Sequence, residues 1–160
     1  MKILALDLAT TTGYYTGDNK PKTITFDKKT RTVDYWTWLS SMVFDEGEAL
    51  FDALVIENAI LQKGHALEVF HDLKAVTRLV SQLAGIPMYG IAPNSIKKGF
   101  TGNGNATKDD MIKECLTRGI ELPYRIMKAG PDKGKKRYSH DAADAVAIYD
   151  VFVEREGLND

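Results

Sequence analysis

The sequence has one cysteine, two tryptophans, five prolines and a formal net charge of only −1 across 160 residues. Each shortage excludes something. A lone Cys115 rules out a disulfide framework within the chain. It shares an apolar helical face with Met111 and Ile112, so it reads as a core thiol in a reducing compartment. No stretch approaches the roughly 20 apolar residues of a membrane span. The opening Met1-Lys-Ile-Leu-Ala-Leu-Asp7 meets an acid too early for an export signal, so the expectation is a cytoplasmic protein with no membrane partner. Internal repeats and low-complexity segments are lacking. The near-zero charge argues against a uniformly basic binder of nucleic acid, but the average conceals segregation. Acids gather in 45–52 and 154–160, and bases in Lys97-Lys98 and from Arg125 to Arg137. Such blocks are either a solvated surface or a polyanion-binding patch beside an acidic site.

What is present is a set of four carboxylates in informative places. Asp7 closes the apolar run Ile3–Leu6, and Glu57 closes Ala53–Ile56. A carboxylate at the end of a buried strand is costly unless something compensates it. Asp141 and Asp144 open the apolar helical run Asp-Ala-Ala-Asp-Ala-Val-Ala-Ile, at the i,i+3 spacing that shares one helix face. Together they would make an all-oxygen cage for a hard divalent cation, and Mg²⁺ suits that chemistry best. Singly, an acid such as Asp141 reads more readily as a helix-cap or surface carboxylate, whereas Asp7 and Glu57 at buried strand ends are harder to explain that way.

The order of elements predicts an alternating α/β domain over 1–160. Ile3–Leu6 is a short continuous apolar run, as in a central strand buried on both faces. Gly13–Gly17 and Thr23–Phe26 follow as β-prone partners. Val33 to Leu50 reads as helix, with Val33, Trp36, Leu39 and Val43 on one stripe. Leu54–Glu57 is a strand, His65–Ala84 the longest helix, and Met88–Ala92 a further strand. Asn94–Lys98 is a helical turn and Lys108–Arg118 an amphipathic helix. The segment 121–140 has no clear period and reads as a long mobile loop. A last helix capped by Ser139 runs to about Glu156.

Four segments in this order resemble the RuvC family of Holliday-junction resolvases. They are Ile3-Leu-Ala-Leu-Asp-Leu-Ala-Thr-Thr-Thr-Gly-Tyr14, Val55-Ile-Glu-Asn58, Ile91 to Lys108 with its lysines and glycine pair, and Ser139-His-Asp-Ala-Ala-Asp-Ala-Val-Ala-Ile148. Asp7-Leu8-Ala9, where cellular members have Asp-Pro-Gly, is more similar to the phage-encoded branch. The resemblance implies a ribonuclease-H-like fold with a mixed five-stranded sheet and helices on both faces. It implies an Mg²⁺-dependent endodeoxyribonuclease of a bacterial host's cytoplasm, cutting four-way junctions for recombination and repair; the departure after Glu57, where Ala59-Ile60-Leu61 holds no aromatic, adds the expectation that forks are cut as well. Asp7, Glu57, Asp141 and Asp144 would hold two Mg²⁺ ions, with Mn²⁺ able to substitute, and cleavage would leave 5′-phosphate and 3′-hydroxyl ends.

The same resemblance places active-site lysines at Lys97 and Lys108. Lys98, Lys133, Lys135, Lys136 and Arg137 are further candidate DNA contacts, with Lys63, and with Ile60 and Leu61 as an aliphatic wedge lacking the usual aromatic. His140 either assists a water or caps the helix. Val69, Leu73, Val76, Val80 and Leu83 repeat at 4-3-4-3 spacing. That seam either packs on the sheet or forms a two-fold homodimer matching a two-fold junction. Two other readings compete: a nuclease of the same fold acting on an RNA precursor, and an actin-like or sugar-kinase ATP module, for which 160 residues is short.

Overall fold

The computed structural model describes residues 1–58 and 64–158. Strands β1 (Ile3–Asp7), β2 (Thr11–Tyr15) and β3 (Lys22–Thr25) come first, followed by helix α1 (Arg31–Val43). A small hairpin, β4 (Phe44–Asp45) and β5 (Glu48–Ala49), leads to β6 (Ala53–Glu57), α2 (His65–Ala84) and β7 (Met88–Ile91). Helices α3 (Pro93–Thr101) and α4 (Lys108–Thr117), hairpin β8 (Tyr124–Ile126) and β9 (Lys136–Tyr138), and α5 (His140–Arg155) complete the order. The main sheet has five strands in the order β3-β2-β1-β6-β7, the mixed arrangement expected. β1 pairs antiparallel with β2 and parallel with β6, and β6 pairs parallel with β7.

Side-chain alternation divides the sheet into two cores. Leu4, Leu6, Leu54 and Ile56 face α1 and α2, where they join Leu39, Val43, Val69 and Leu73. Ile3, Ala5, Val55 and Ile91 face α3, α4 and α5. The runs Ile3–Leu6 and Ala53–Ile56 are continuously apolar because both faces are covered.

Three local readings need correction. Helix α1 ends at Val43, where the chain turns through Glu46 and Gly47, both at positive φ, to form β4–β5. Its buried stripe is Tyr35, Leu39 and Val43; Val33 and Trp36 lie exposed on the other side. The segment read as a loop contains the β8–β9 hairpin. Cys115 is fully buried as expected, and burial pushes its thiol up to about 12, leaving it inert.

Candidate metal centre and nucleic-acid face

In the parallel β1–β6 pair, Leu6 stands opposite Ile56, so the next residues, Asp7 and Glu57, end adjacent strands side by side. The period of two then fixes their direction. Asp7 shares parity with Ile3 and Ala5, and Glu57 with Val55, so both carboxylates leave the sheet on the α5 side. Helix α5 lies against β1 and β2 through Ala142, Ala143, Ala145 and Val146, all buried. Its small side chains permit the close approach that brings Asp141 and Asp144 over the strand ends.

Gly13 makes that approach possible. It is the register partner of Asp7 across β1–β2. A Cβ built on Gly13 would stand 1.9 Å from the carbonyl oxygen of Asp141. Thus one residue pairs with the backbone of the first acid and touches the backbone that bears the third. The sequence offered a signal, a glycine inside a β-prone run, which marks a place where backbones meet closely. Ser139 then starts the helix, its hydroxyl accepting from the Ala142 amide at 3.2 Å.

The four acids are electrostatically coupled. Burial, followed by repulsion from Asp144, Glu57 and Asp141, raises Asp7 well above the ordinary carboxylate range, against a weaker pull from Lys108. Glu57 is raised by burial and by Asp144, with Lys97 opposing. Burial raises Asp141 and Asp144 as well, with Lys108 opposing in both. Among the described residues none of the four has a cationic partner within ion-pair distance. Nor, among those residues, are three His, Cys, Asp or Glu side chains already drawn into a closed metal cage. The acids share a cluster and each other's fields, while their carboxylates stand apart. A cluster of partly exposed, mutually repelling carboxylates fits a hard divalent cation, because hard oxygen donors suit it and its charge removes the repulsion.

Lys97 and Lys108 bear on the acids, through Glu57 and Asp144 for the first and Asp7, Asp141 and Asp144 for the second. Lys98 is exposed on α3 beside Gly104. His140 opens α5, and its buried Nδ1 has no hydrogen-bond partner among the described residues. Lys133, Lys135, Lys136 and Arg137 occupy the second arm of the hairpin and the turn before it; Lys135 pairs with Asp132 at 2.9 Å, and Lys136 lies 4.2 Å over the Tyr124 ring. Ile60, Leu61 and Lys63 lie outside the described residues. Asn58, which leads into them, is anchored: its amide donates to Ile91, and its side chain accepts from Lys74 at 2.6 Å. Lys74 had no place in the sequence reading.

The α2 seam does not face outward. Val69 (4% exposed), Leu73 and Val80 are buried in the chain's own core, and Val76 packs partly against it. The stripe found the nearest apolar surface, which is the sheet. Of the five seam residues, Leu83 alone is exposed, at 62%, and Leu79 beside it is 48% exposed.

No family model matches the chain. Over 80 residues it is 32% identical to the crossover junction endodeoxyribonuclease RuvC of Anaeromyxobacter sp. (strain K), covering 50% of this chain and 36% of that protein. Over 90 residues it is 36% identical to the RuvC of Methylobacterium radiotolerans, covering 56% and 34% respectively. These matches span about a third of the curated relatives' own length. In fold, a Thermus thermophilus RuvC structure aligns with TM-score 0.67 and 18% identity over 98% of this chain and 97% of the other. A second, T. thermophilus RuvC in complex with a Holliday junction substrate, aligns at 0.68 and 20% identity over 98% and 96%. The resemblance drawn from four sequence segments is thus borne out in partial sequence and in whole fold.

Proposed function

We propose that this RuvC-like chain is a divalent-metal-dependent endonuclease that nicks branched DNA, four-way junctions first among them. The observation that carries the reading is the convergence of Asp7, Glu57, Asp141 and Asp144 on one side of the sheet, half-buried and coupled with no cation paired to them among the described residues. Structural acids in a core would have partners. The similarity to proteins named as crossover junction endodeoxyribonucleases, and the fold shared with a structure holding a Holliday junction, support the substrate class.

The four carboxylates would hold the metal, and Mg²⁺ matches the all-oxygen set best, with Mn²⁺ the natural substitute. Two such ions would supply an activated water and charge stabilisation for the leaving 3′ oxygen, giving 5′-phosphate and 3′-hydroxyl ends. The chain's own residues do the rest. Lys97 and Lys108 lie close enough to influence the acids, so they can engage the phosphate that enters beside them. Gly13 and the alanines of α5 hold the two halves of the cluster in register. Asn58, held by Lys74, fixes the residue that follows Glu57.

Paired nicks across a two-fold junction call for two copies of the chain. Because the inner seam of α2 is occupied, the dimer is assigned to its outer face, where Ala75, Leu79 and Leu83 stand exposed at i, i+4 and i+8. A cleavage panel of junction, fork, linear duplex and RNA tests the reading. Mg²⁺-dependent nicking of the branched DNAs is expected. Ca²⁺ should support binding without cutting, since its looser coordination fails to orient the water. Metal-independent cutting, or cleavage of RNA alone, would contradict it.

A further inference from the structure

The β8–β9 hairpin sets two arginines face to face. Its register pairs Tyr124 with Tyr138, Arg125 with Arg137, and Ile126 with Lys136. Pairs alternate between faces, so the arginines share one face while Tyr124, Tyr138 and Lys136 share the other, where Lys136 covers the Tyr124 ring. Like charges directly opposite each other weaken a two-stranded ladder. A marginal three-residue hairpin would not be expected to carry that cost without a use. Among the described residues neither guanidinium has a carboxylate or any other hydrogen-bond partner; the turn's Asp132 is bonded to Lys135.

The hairpin, with Tyr124 and Tyr138 as well as both arginines, borders a cleft beside the acids. Arg125 and Arg137 line a cleft of about 410 Å³ whose other walls include Thr11 and Thr23 of β2 and β3, and His140 and Asp141 of α5. That volume suits one nucleotide unit. β9 runs straight into α5, so Arg137 lies four residues before Asp141, at most about 14 Å of extended chain. The hairpin is tied to this position: the Ser139 amide donates to Pro123, and Met127 closes the ladder against Lys135. Two guanidiniums on one hairpin face, lining one cleft with Asp141, match a phosphodiester, whose oxygens accept from planar donor pairs.

We propose that Arg125 and Arg137 jointly grip one non-scissile backbone phosphate of the cleaved strand, and so set which phosphodiester reaches the acids. This rests on the nuclease reading and adds to it a specific subsite. The arginines are positioning residues with a place on the substrate, distinct from the diffuse attraction of the exposed lysines around them. The other face of the hairpin carries the aromatic that the wedge segment lacks.

The test uses four-way junctions bearing a single neutral methylphosphonate at each position within two nucleotides of the nick. Binding is measured by fluorescence anisotropy in Ca²⁺, and nicking in Mg²⁺. Wild-type protein should lose about tenfold in affinity at one position other than the cut. Arg125→Gln and Arg137→Gln should each bind unmodified junction about tenfold more weakly, with a salt slope lower by about 1. Both should be indifferent to the modification at that one position. Lys133→Gln should keep the wild-type interference pattern. Thermal melting equal to wild type shows that the hairpin variants fold, and Arg125→Lys should restore charge without restoring the full positional effect. Wild-type protein insensitive at every non-scissile position, or arginine variants that keep the interference, would overturn the subsite while leaving nicking intact. Absence of both junction binding and nicking in wild-type protein would overturn the underlying reading and the subsite with it.

Discussion

Replacing Gly13 with alanine adds a single methyl group, and the structure says where it goes. The new Cβ would stand 1.9 Å from the Asp141 carbonyl oxygen, whereas real Cβ contacts essentially never fall below 3.0 Å. The obstacle is backbone, so no rotamer change relieves it. Either β2 or the first turn of α5 must retreat by at least the difference, about 1.1 Å. Gly13 lies in an ordinary strand conformation, absent from the positive-φ glycines, so alanine carries no dihedral penalty there. The steric effect is therefore isolated. Overpacking of this kind costs about 1–3 kcal/mol, read as a lowered midpoint of urea or thermal unfolding. The functional effect should be larger in proportion. A misplacement of about 1 Å in a reacting constellation can cost about a hundredfold in rate, and the shift falls on Asp141 relative to Asp7. Single-turnover nicking of a four-way junction in Mg²⁺ should thus drop by about that factor, while junction binding falls only slightly. Gly13→Ala protein that melts and nicks like wild type would refute the claim that this glycine seats α5 on the acid cluster.

Asp7→Asn should abolish nicking and, in metal-free protein, raise the melting temperature at neutral pH. The folded-state carboxyl is raised by burial and by its acidic neighbours, so the native state holds more protons than the unfolded one between the two values. Stability from this group is therefore full below the unfolded value and declines as pH rises through the folded one. A pH series of melts should show wild-type stability falling with rising pH relative to the variant; the reverse slope would mean the acid is internally compensated. Added Mg²⁺ should stabilise wild type and leave Asp7→Asn less affected. On α2, Leu79→Glu with Leu83→Glu should give folded monomers by sedimentation with loss of paired nicks, whereas Val76→Glu should unfold the chain, because Val76 packs on the core. If the double variant stays dimeric, the dimer lies elsewhere.

The parts of the sequence that read correctly are those where one strong force decides. Ile3–Leu6 and Ala53–Ile56 are apolar on both sides, and only a buried central strand explains that. The four acids were visible as costs that needed an explanation, and alternation carried them to one side. The misreadings share a different cause. The α2 spacing of Val69, Leu73, Val76 and Val80 is compatible with two apolar partners, and the nearer one was its own sheet. Strands β8 and β9 hold Tyr-Arg-Ile and Lys-Arg-Tyr, largely exposed and short, so no apolar alternation betrays them. What could have done so is their near-mirror order, Tyr-Arg against Arg-Tyr, around Gly130, Pro131 and Gly134. Gly13's role was illegible for another reason: a close approach between elements distant in sequence leaves only an unexplained glycine behind. The Lys74–Asn58 bond is likewise a product of tertiary placement.

The central claim is that Asp7, Glu57, Asp141 and Asp144 form one metal-dependent cutting centre for branched DNA. The most direct measurement is nicking of a labelled four-way junction, with and without Mg²⁺, by wild type and by Asp144→Asn, Asp144 being the acid that acts on both Asp7 and Glu57. Mg²⁺-dependent nicking by wild type, reduced by about a hundredfold or more in Asp144→Asn protein that still binds the junction, is the predicted result. Nicking that persists without divalent metal, or that survives Asp144→Asn unchanged, would contradict it.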